Sequence, residues 1–222
     1  MKVHAIWSYK IAKSNQIFEM TSAEMTLQEA LILAADLEKT GRVKTLEWYD
    51  QAGTYWTTKQ LVKLNKETET EPQNIVAYFD GGYDVNSKSS GLGVVIYYEQ
   101  NKKKWRLKAN QQNELLVDNN EAEYAALYFL LERLEQLGVH FQSVQINSDS
   151  LVVINQLTDE WPCYEEHYLP WYERIKKKEA ALGLTIHFTQ IKREQNKEAD
   201  QLATQALQDI SIESHIENPR RD

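Results

Sequence analysis

Four acidic residues stand at positions from which carboxylates can gather around metal ions; they are Asp80, Glu123, Asp149 and Asp200. Asp80 and Asp149 each end an apolar run with the composition of a buried strand, so a sheet would fix their stems and place their heads at its rim. Glu123 and Asp200 lie early in stretches with helical periodicity. Two such strands side by side can hold paired divalent cations, and an all-oxygen ligand set suits Mg²⁺ or Mn²⁺.

Each acid taken alone has a simpler explanation. A single Asp after a strand is commonly a turn former, because its side chain hydrogen-bonds to the backbone that follows. The prediction of a shared metal site therefore depends on the four acids together, in this order and at this spacing. If they converge without metal, they must repel one another and raise each other's pKa.

The segments around these acids, taken in order, resemble the ribonuclease H type 1 family. They read YFDGG, NNEAEY, INSDS and NKEADQLA, and the match covers roughly residues 74 to 208. The resemblance implies an α/β fold of the ribonuclease H type, a mixed five-stranded sheet with helices on both faces. It also implies hydrolysis of the RNA strand of an RNA–DNA hybrid, with two Mg²⁺ or Mn²⁺ ions in each active site.

The same resemblance assigns a role to each acid. Asp80 would bridge both metals, and Asp200 would help to hold one of them. Glu123 and Asp149 would complete the other site. Glu121 lies two positions before Glu123 on the same helix and so points about 200° away from it. The family's Ala-Glu-Tyr pattern places the ligand at Glu123, which leaves Glu121 facing solvent or near the substrate.

Five further residues are implied substrate contacts: Gly81, Gly82, Asn119, Asn120 and Arg193. In the family, the acid at the Glu123 position and the backbone after Asp80 read the 2′-hydroxyl that distinguishes RNA from DNA. The paired asparagines contact the minor groove, and their simpler role as helix caps is compatible with this. Arg193 stands near the place of a catalytic histidine in many bacterial members and can contact a phosphate. His187 lies inside a predicted strand, where a catalytic role is not expected.

Three departures from the family pattern indicate weak substrate binding by this domain alone. The loop before the last helix has no histidine, as in the histidine-lacking branch of the family. The basic handle helix is replaced by the acidic segment 159–167, and Asp118 and Glu121 stand where the family often has Thr and Arg. The alternative function is thus a catalytically weak or inactive nucleic-acid-binding protein of the same fold. A nuclease of this fold with another substrate is a third reading.

The chain is expected to hold two domains. Residues 1–65 predict a small α+β module, 66–74 a polar linker, 75–210 the catalytic domain and 211–222 a frayed tail. In the module, residues 55–64 predict a strand. Five aromatic residues there either stack on nucleotides, which would make the module a nucleic-acid tether, or form its core: Trp7, Trp48, Tyr49, Tyr55 and Trp56.

Composition limits the remaining classes. The net charge of −8 is unusual for a nucleic-acid-binding protein, although metal-binding acids change the local sign when cations are bound. Cys163 is the one cysteine, which excludes an internal disulfide and fits a reducing cytoplasm. No apolar run is long enough to span a membrane, and the N-terminus does not resemble a secretory signal. Nothing in the sequence indicates a required protein partner.

Overall fold

The computed structural model of the protein describes residues 1–217. Contacts within the chain divide it into two compact units, the first of which ends at Thr70 and the second of which begins at Glu71. None of the helices in residues 1–217 combines the length and apolar composition that a membrane crossing requires.

The first unit is a small sheet with two helices. Its elements are β1 (Lys2–Lys10), β2 (Ile17–Thr21), β3 (Met25–Thr26), α1 (Leu27–Lys39), β4 (Val43–Asp50), β5 (Tyr55–Trp56) and α2 (Thr58–Thr70). The strands lie in the order β2-β1-β4-β5, and β3 also pairs with β1. The core lies between the sheet and the helices, and its fully buried members include Val3, Ala5, Ala30, Trp48 and Leu61.

The predicted strand over residues 55–64 is wrong, and the predicted linker over 66–74 contains the boundary between the two units but is helical as far as residue 70. The strand stops at Trp56, α2 extends to Thr70, and the next strand begins at Gln73. Thr57 and Gln60 form a reciprocal cap, in which the Gln60 N–H donates to Thr57 Oγ1 over 3.2 Å and the Thr57 N–H donates to Gln60 Oε1 over 2.8 Å. This cap begins a helix that an extended interpretation overlooks.

The second unit contains a six-stranded mixed sheet. Its elements are β6 (Gln73–Asp84), β7 (Ser89–Gln100), β8 (Lys103–Asn113), α3 (Asn119–Gln136), β9 (Ser143–Ser148), α4 (Leu151–Leu157), α5 (Leu169–Leu182), β10 (Thr185–Gln190), α6 (Lys197–Leu207) and β11 (Glu213–Glu217). The strands lie in the order β10-β9-β6-β7-β8-β11. β6, β9 and β10 run parallel to one another, and the remaining neighbours are antiparallel.

Helices α3 and α6 cover opposite faces of this sheet. Neighbouring residues of a strand point to opposite faces. A Cβ on Gly81 would meet the backbone of α3. The residue before Gly81, Asp80, pairs with Gly93 of β7, so Asp80 and Gly93 share a face of the sheet. A Cβ on Gly93 would meet the backbone of α6 at Ala199. The mixed sheet with helices on both faces confirms the predicted fold class.

The prediction of a frayed tail from residue 211 is wrong for the described part of that segment. Residues 213–217 form β11, which pairs with β8 as a sixth strand. The strand is also held by side chains, since His215 hydrogen-bonds to Tyr98 and Lys103 pairs with Glu217 over 2.8 Å. Its partners lie about a hundred positions earlier, so no local pattern announces the pairing. Residues 218–222 of the predicted tail lie outside the described residues.

Candidate active site

Asp80 lies within β6 rather than at its end, because the strand continues to Asp84. Its partner in β7 is Gly93, so its side chain leaves the sheet on the face that α6 covers. Only 9% of Asp80 is exposed. Burial and then the charges of Asp149 and Asp200 raise the pKa of Asp80 to about 7. The carboxylate therefore sits in an environment that disfavours its charged form.

Glu123 approaches Asp80 from α3. A Cβ on Gly81 would lie 2.3 Å from the backbone nitrogen of Glu123, so a glycine is needed for this close approach of helix and strand. The Gly81 N–H donates to Glu123 Oε2 over 3.1 Å. Glu123 is 7% exposed. Burial, followed by the charges of Asp80 and Asp149, raises the pKa of Glu123 well above its ordinary value.

Asp149 directly follows β9 and is tied to its neighbours by Asn196. The Asn196 amide donates to Asp149 Oδ1 over 2.7 Å and to the carbonyl oxygen of Phe79 over 2.9 Å. Asn196 immediately precedes α6, but its side chain makes no cap bond to that helix and instead joins β6 to Asp149. Its Oδ1 is buried without a hydrogen-bond partner among the described residues, so a water molecule there would find an acceptor.

Asp200 lies in the first turn of α6 and is paired with Arg193. Arg193 Nη2 donates to Asp200 Oδ1 over 2.7 Å, and the two side chains are 77% and 33% exposed, respectively. A solvent-exposed pair of this kind contributes at most about 1 kcal/mol. Arg193 can therefore exchange this partner for another anion at little cost.

The four acids converge closely enough to influence one another. The pKa of Asp80 responds to Asp149 and Asp200, and the pKa of Glu123 responds to Asp80 and Asp149. Within residues 1–217, no three His, Cys, Asp or Glu side chains already form a complete metal-binding group. The donor chemistry nevertheless fits a hard divalent cation, because all four donors are carboxylates and a cation would relieve the repulsion that helps to raise the pKa of Asp80 and of Glu123.

The predicted substrate contacts take different positions. Asn119 and Asn120 begin α3, the first exposed and the second half-buried, and Asp118 rather than either asparagine caps the helix. Gly81 contacts α3, and Gly82 lies near Leu207 of α6. Glycine at position 81 thus has a packing role in addition to any contact with substrate, whereas a Cβ at position 82 would make an ordinary van der Waals contact with Leu207.

The expectation that Glu121 faces solvent is wrong. Glu121 is 9% exposed, and its two oxygens accept the Val117 N–H over 2.8 Å and Trp171 Nε1–H over 2.9 Å. Asp118 is likewise occupied, because its Oδ2 is bonded to His167 and Tyr168. Both acids are structural, so they repel a phosphate backbone less than bare carboxylates would.

The aromatic residues of the first unit divide into two sets. Trp48 is fully buried and donates to Thr58, and Trp7 and Trp56 pack on the same core. Tyr49 and Tyr55 instead form an edge-to-face pair with ring centroids 5.8 Å apart. Among the residues predicted as alternatives for stacking or packing, the three tryptophans are thus core residues. In the second unit, His187 is exposed on β10.

Comparison with known proteins places this site in a family. The model of the family described as reverse transcriptase-like matches residues 78–206. The chain belongs to this family. An uncharacterized protein of Bacillus subtilis, YpeP, is 41% identical over 196 residues, which is 88% of this chain and 86% of that protein. Because this match covers 88% of the chain, it includes much of the first unit as well as the second.

A ribonuclease HI and an RNase H1 of known structure each match about three fifths of the chain. A ribonuclease HI of Halobacterium salinarum is 34% identical over 135 residues, which is 60% of this chain and 64% of that protein. The crystal structure of LC11-RNase H1 in complex with an RNA/DNA hybrid superposes with a TM-score of 0.54 at 25% identity, covering 61% of this chain and 98% of that one. The reverse transcriptase-like chain therefore has the ribonuclease H fold, as the sequence predicts.

Proposed function

We propose that this protein is a metal-dependent endoribonuclease that hydrolyses the RNA strand of RNA–DNA hybrids. The observation that carries the proposal is the convergence of Asp80, Glu123, Asp149 and Asp200, two of which are buried with raised pKa values. Burying mutually repelling carboxylates is costly unless a ligand compensates them. Membership of a family with ribonuclease H relatives supports the same class of reaction.

The residues of the chain would divide the work by position. Glu123, Asp149 and Asp80 would hold one Mg²⁺ or Mn²⁺ ion, and Asp80 and Asp200 a second. Such a pair supplies Lewis-acid activation of water and stabilisation of the leaving oxygen. Asn196 holds Asp149 against β6, and so keeps two acids in register before any metal binds.

Substrate selection would fall to residues around the acids. The backbone at Gly81 and the Glu123 carboxylate lie next to each other, joined by a hydrogen bond, which suits joint recognition of a ribose 2′-hydroxyl. Asn119 and Asn120 would contact the minor groove from the start of α3. Arg193, exposed at the edge of the site, would leave Asp200 to bind a phosphate.

The first unit would act as a tether for nucleic acid. It forms a separate compact unit, and the second unit lacks a basic handle between α4 and α5. A tether raises the local concentration of substrate without new contacts at the active site. Tyr49 and Tyr55 are the aromatic candidates outside the unit's core.

A second candidate function is that of a nucleic-acid-binding protein with little or no catalysis. It is favoured by the absence of a complete three-residue metal-binding group within residues 1–217 and by the acidic segment 159–167. This alternative shares the fold and the substrate with the first proposal but predicts binding without turnover.

The test uses a labelled RNA–DNA hybrid beside duplex DNA, duplex RNA and single-stranded RNA of the same sequence. Each is incubated with Mg²⁺ or Mn²⁺ and either the wild type or Asp149→Asn. Cleavage of the RNA strand of the hybrid alone, lost in the variant, is the expected result. Hybrid binding without cleavage in either metal would favour the alternative, and equal cleavage of duplex RNA would reject hybrid specificity.

A further inference from the structure

The N-terminal end of α3 is hydrogen-bonded to residues at and just before the start of α5. Asp118 caps α3 by accepting the Glu121 N–H at Oδ1 over 2.8 Å. Its other oxygen, Oδ2, is bonded to His167 Nε2 at 2.9 Å and accepts the Tyr168 hydroxyl over 3.0 Å. A single carboxylate thus orders the helix start and joins it to a segment fifty positions later in the chain.

Glu121 makes a second fastening beside the first. Its Oε1 accepts Trp171 Nε1–H over 2.9 Å, and its Oε2 accepts the Val117 N–H over 2.8 Å. The Tyr168 ring packs on Tyr124 of α3, with centroids 5.6 Å apart. His167 and Tyr168, just before α5, and Trp171, in its first turn, therefore contact the residues that flank the start of α3. We call these three residues the α5 clamp.

The two residues held by the clamp flank the two asparagines of the candidate substrate surface. Asn119 and Asn120 lie between Asp118 and Glu121, the two residues that the clamp holds. The residues of the clamp face α3, and Tyr168 is 5% exposed. Its hydroxyl therefore acts on Asp118, which caps the turn on which Asn120 lies, while its ring supports the packing.

We propose that Tyr168 is a positioning residue for hybrid binding, which sets Asn120 for the minor groove through the bond of its hydroxyl to Asp118, the residue that caps the helical turn carrying Asn120. The inference rests on the proposed function, because it requires that Asn120 contacts the hybrid. It gives the acids at positions 118 and 121 a structural role. They stand where the family often has Thr and Arg, and they bind the residues of the clamp. Preorganised contacts lose less entropy on binding, so the clamp raises affinity without touching the nucleic acid.

The test compares two identical substitutions on one helix. Tyr168→Phe keeps the ring against Tyr124 but removes the hydroxyl, whereas Tyr172→Phe removes a hydroxyl that donates to Asp159 over 2.8 Å. Binding of a fluorescent hybrid to the full chain is measured with Ca²⁺ in place of Mg²⁺. We expect Tyr168→Phe to weaken binding about five-fold, the value of one ordinary hydrogen bond, and Tyr172→Phe to leave it unchanged. Thermal unfolding of both variants checks that both are folded.

A double-mutant cycle separates positioning from general support of the fold. Asn120→Ala is combined with Tyr168→Phe, and the double variant is expected to bind no more weakly than Asn120→Ala alone. With Mg²⁺, Tyr168→Phe should raise KM for the hybrid by a similar factor and leave kcat unchanged. Additive losses in the cycle, or a fall in kcat without a change in KM, would overturn the inference.

The outcomes also separate this inference from the proposed function. If the wild type binds hybrid well and Tyr168→Phe behaves like Tyr172→Phe, the positioning role is rejected and the proposed function stands. If the wild type binds hybrid no better than duplex DNA, the proposed function is rejected, and the positioning role is rejected with it.

Discussion

Replacing Asp80 with Asn should stabilise the metal-free protein. The carboxylate is 9% exposed, and its pKa is raised from 3.8 to about 7 by burial and by the charges of Asp149 and Asp200. Because the pKa is higher in the folded state, the folded protein binds the proton more tightly than the unfolded chain. The destabilisation is therefore absent below about pH 4, grows as the pH rises, and is complete above about pH 7.

The size of the effect follows from this shift. Each pKa unit corresponds to about 1.4 kcal/mol, so a shift of about three units costs about 4 kcal/mol at pH 8. Asn removes this charge but remains a buried polar group, which costs about 1–3 kcal/mol. The net gain expected for Asp80→Asn is about 2 kcal/mol, or roughly 4–8 °C in Tm for a chain of this size.

The assay is thermal unfolding in EDTA at pH 8 and again at pH 4, with Asp209→Asn as the control. Asp209 is exposed at the end of α6 with a φ of 61°, a conformation that Asn tolerates, so the control removes one charge with little effect. Adding Mg²⁺ should stabilise the wild type more than Asp80→Asn. The reasoning is refuted if Asp80→Asn is no more stable than the wild type in EDTA at pH 8, or if its advantage persists unchanged at pH 4.

Changes at Asn196 and Arg193 and one truncation test separate parts of the account. Asn196→Asp should destabilise the metal-free protein at pH 8 more than Asn196→Ala does. The amide of Asn196 lies 2.7 Å from Asp149 Oδ1, so the substitution places a second carboxylate against Asp149. In thermal unfolding, the difference in Tm between the two variants should shrink at pH 4. Arg193→Ala should raise KM for the hybrid several-fold without changing Mg²⁺ affinity measured by calorimetry, and a loss of metal affinity would contradict its assignment. Removal of residues 1–70 should weaken hybrid binding about ten-fold in a direct binding assay, and unchanged affinity would reject the tether.

The acids of the site could be located from sequence because their surroundings are local. Apolar runs before Asp80 and Asp149 indicate strands, and helical spacing separates Glu123 from Glu121. The structure brings these acids together at the predicted elements. What local patterning does not supply is the continuation of β6 beyond Asp80, which depends on pairing with β7 as far as Ser89.

The errors arise where distant partners decide the structure. The local sequence around Glu121 predicts a surface residue, but Trp171, fifty positions later, donates a hydrogen bond to it. Residues 213–217 have the composition of a polar tail, but they form a strand because they pair with the edge of β8. Helix α2 is a different case, since the Thr57 and Gln60 cap is visible in the sequence but directly follows aromatic residues that favour a strand.

The central claim is that the four acids hold the metal ions that drive cleavage of the RNA strand. Its most direct test is the initial rate of hybrid cleavage as Mg²⁺ is titrated into the wild type, Asp80→Asn and Asp209→Asn. The account predicts no cleavage in EDTA, a rate that rises with Mg²⁺ for the wild type and Asp209→Asn, and a loss of at least about a thousand-fold for Asp80→Asn. Cleavage without metal, or a substantially active Asp80→Asn protein, would contradict it.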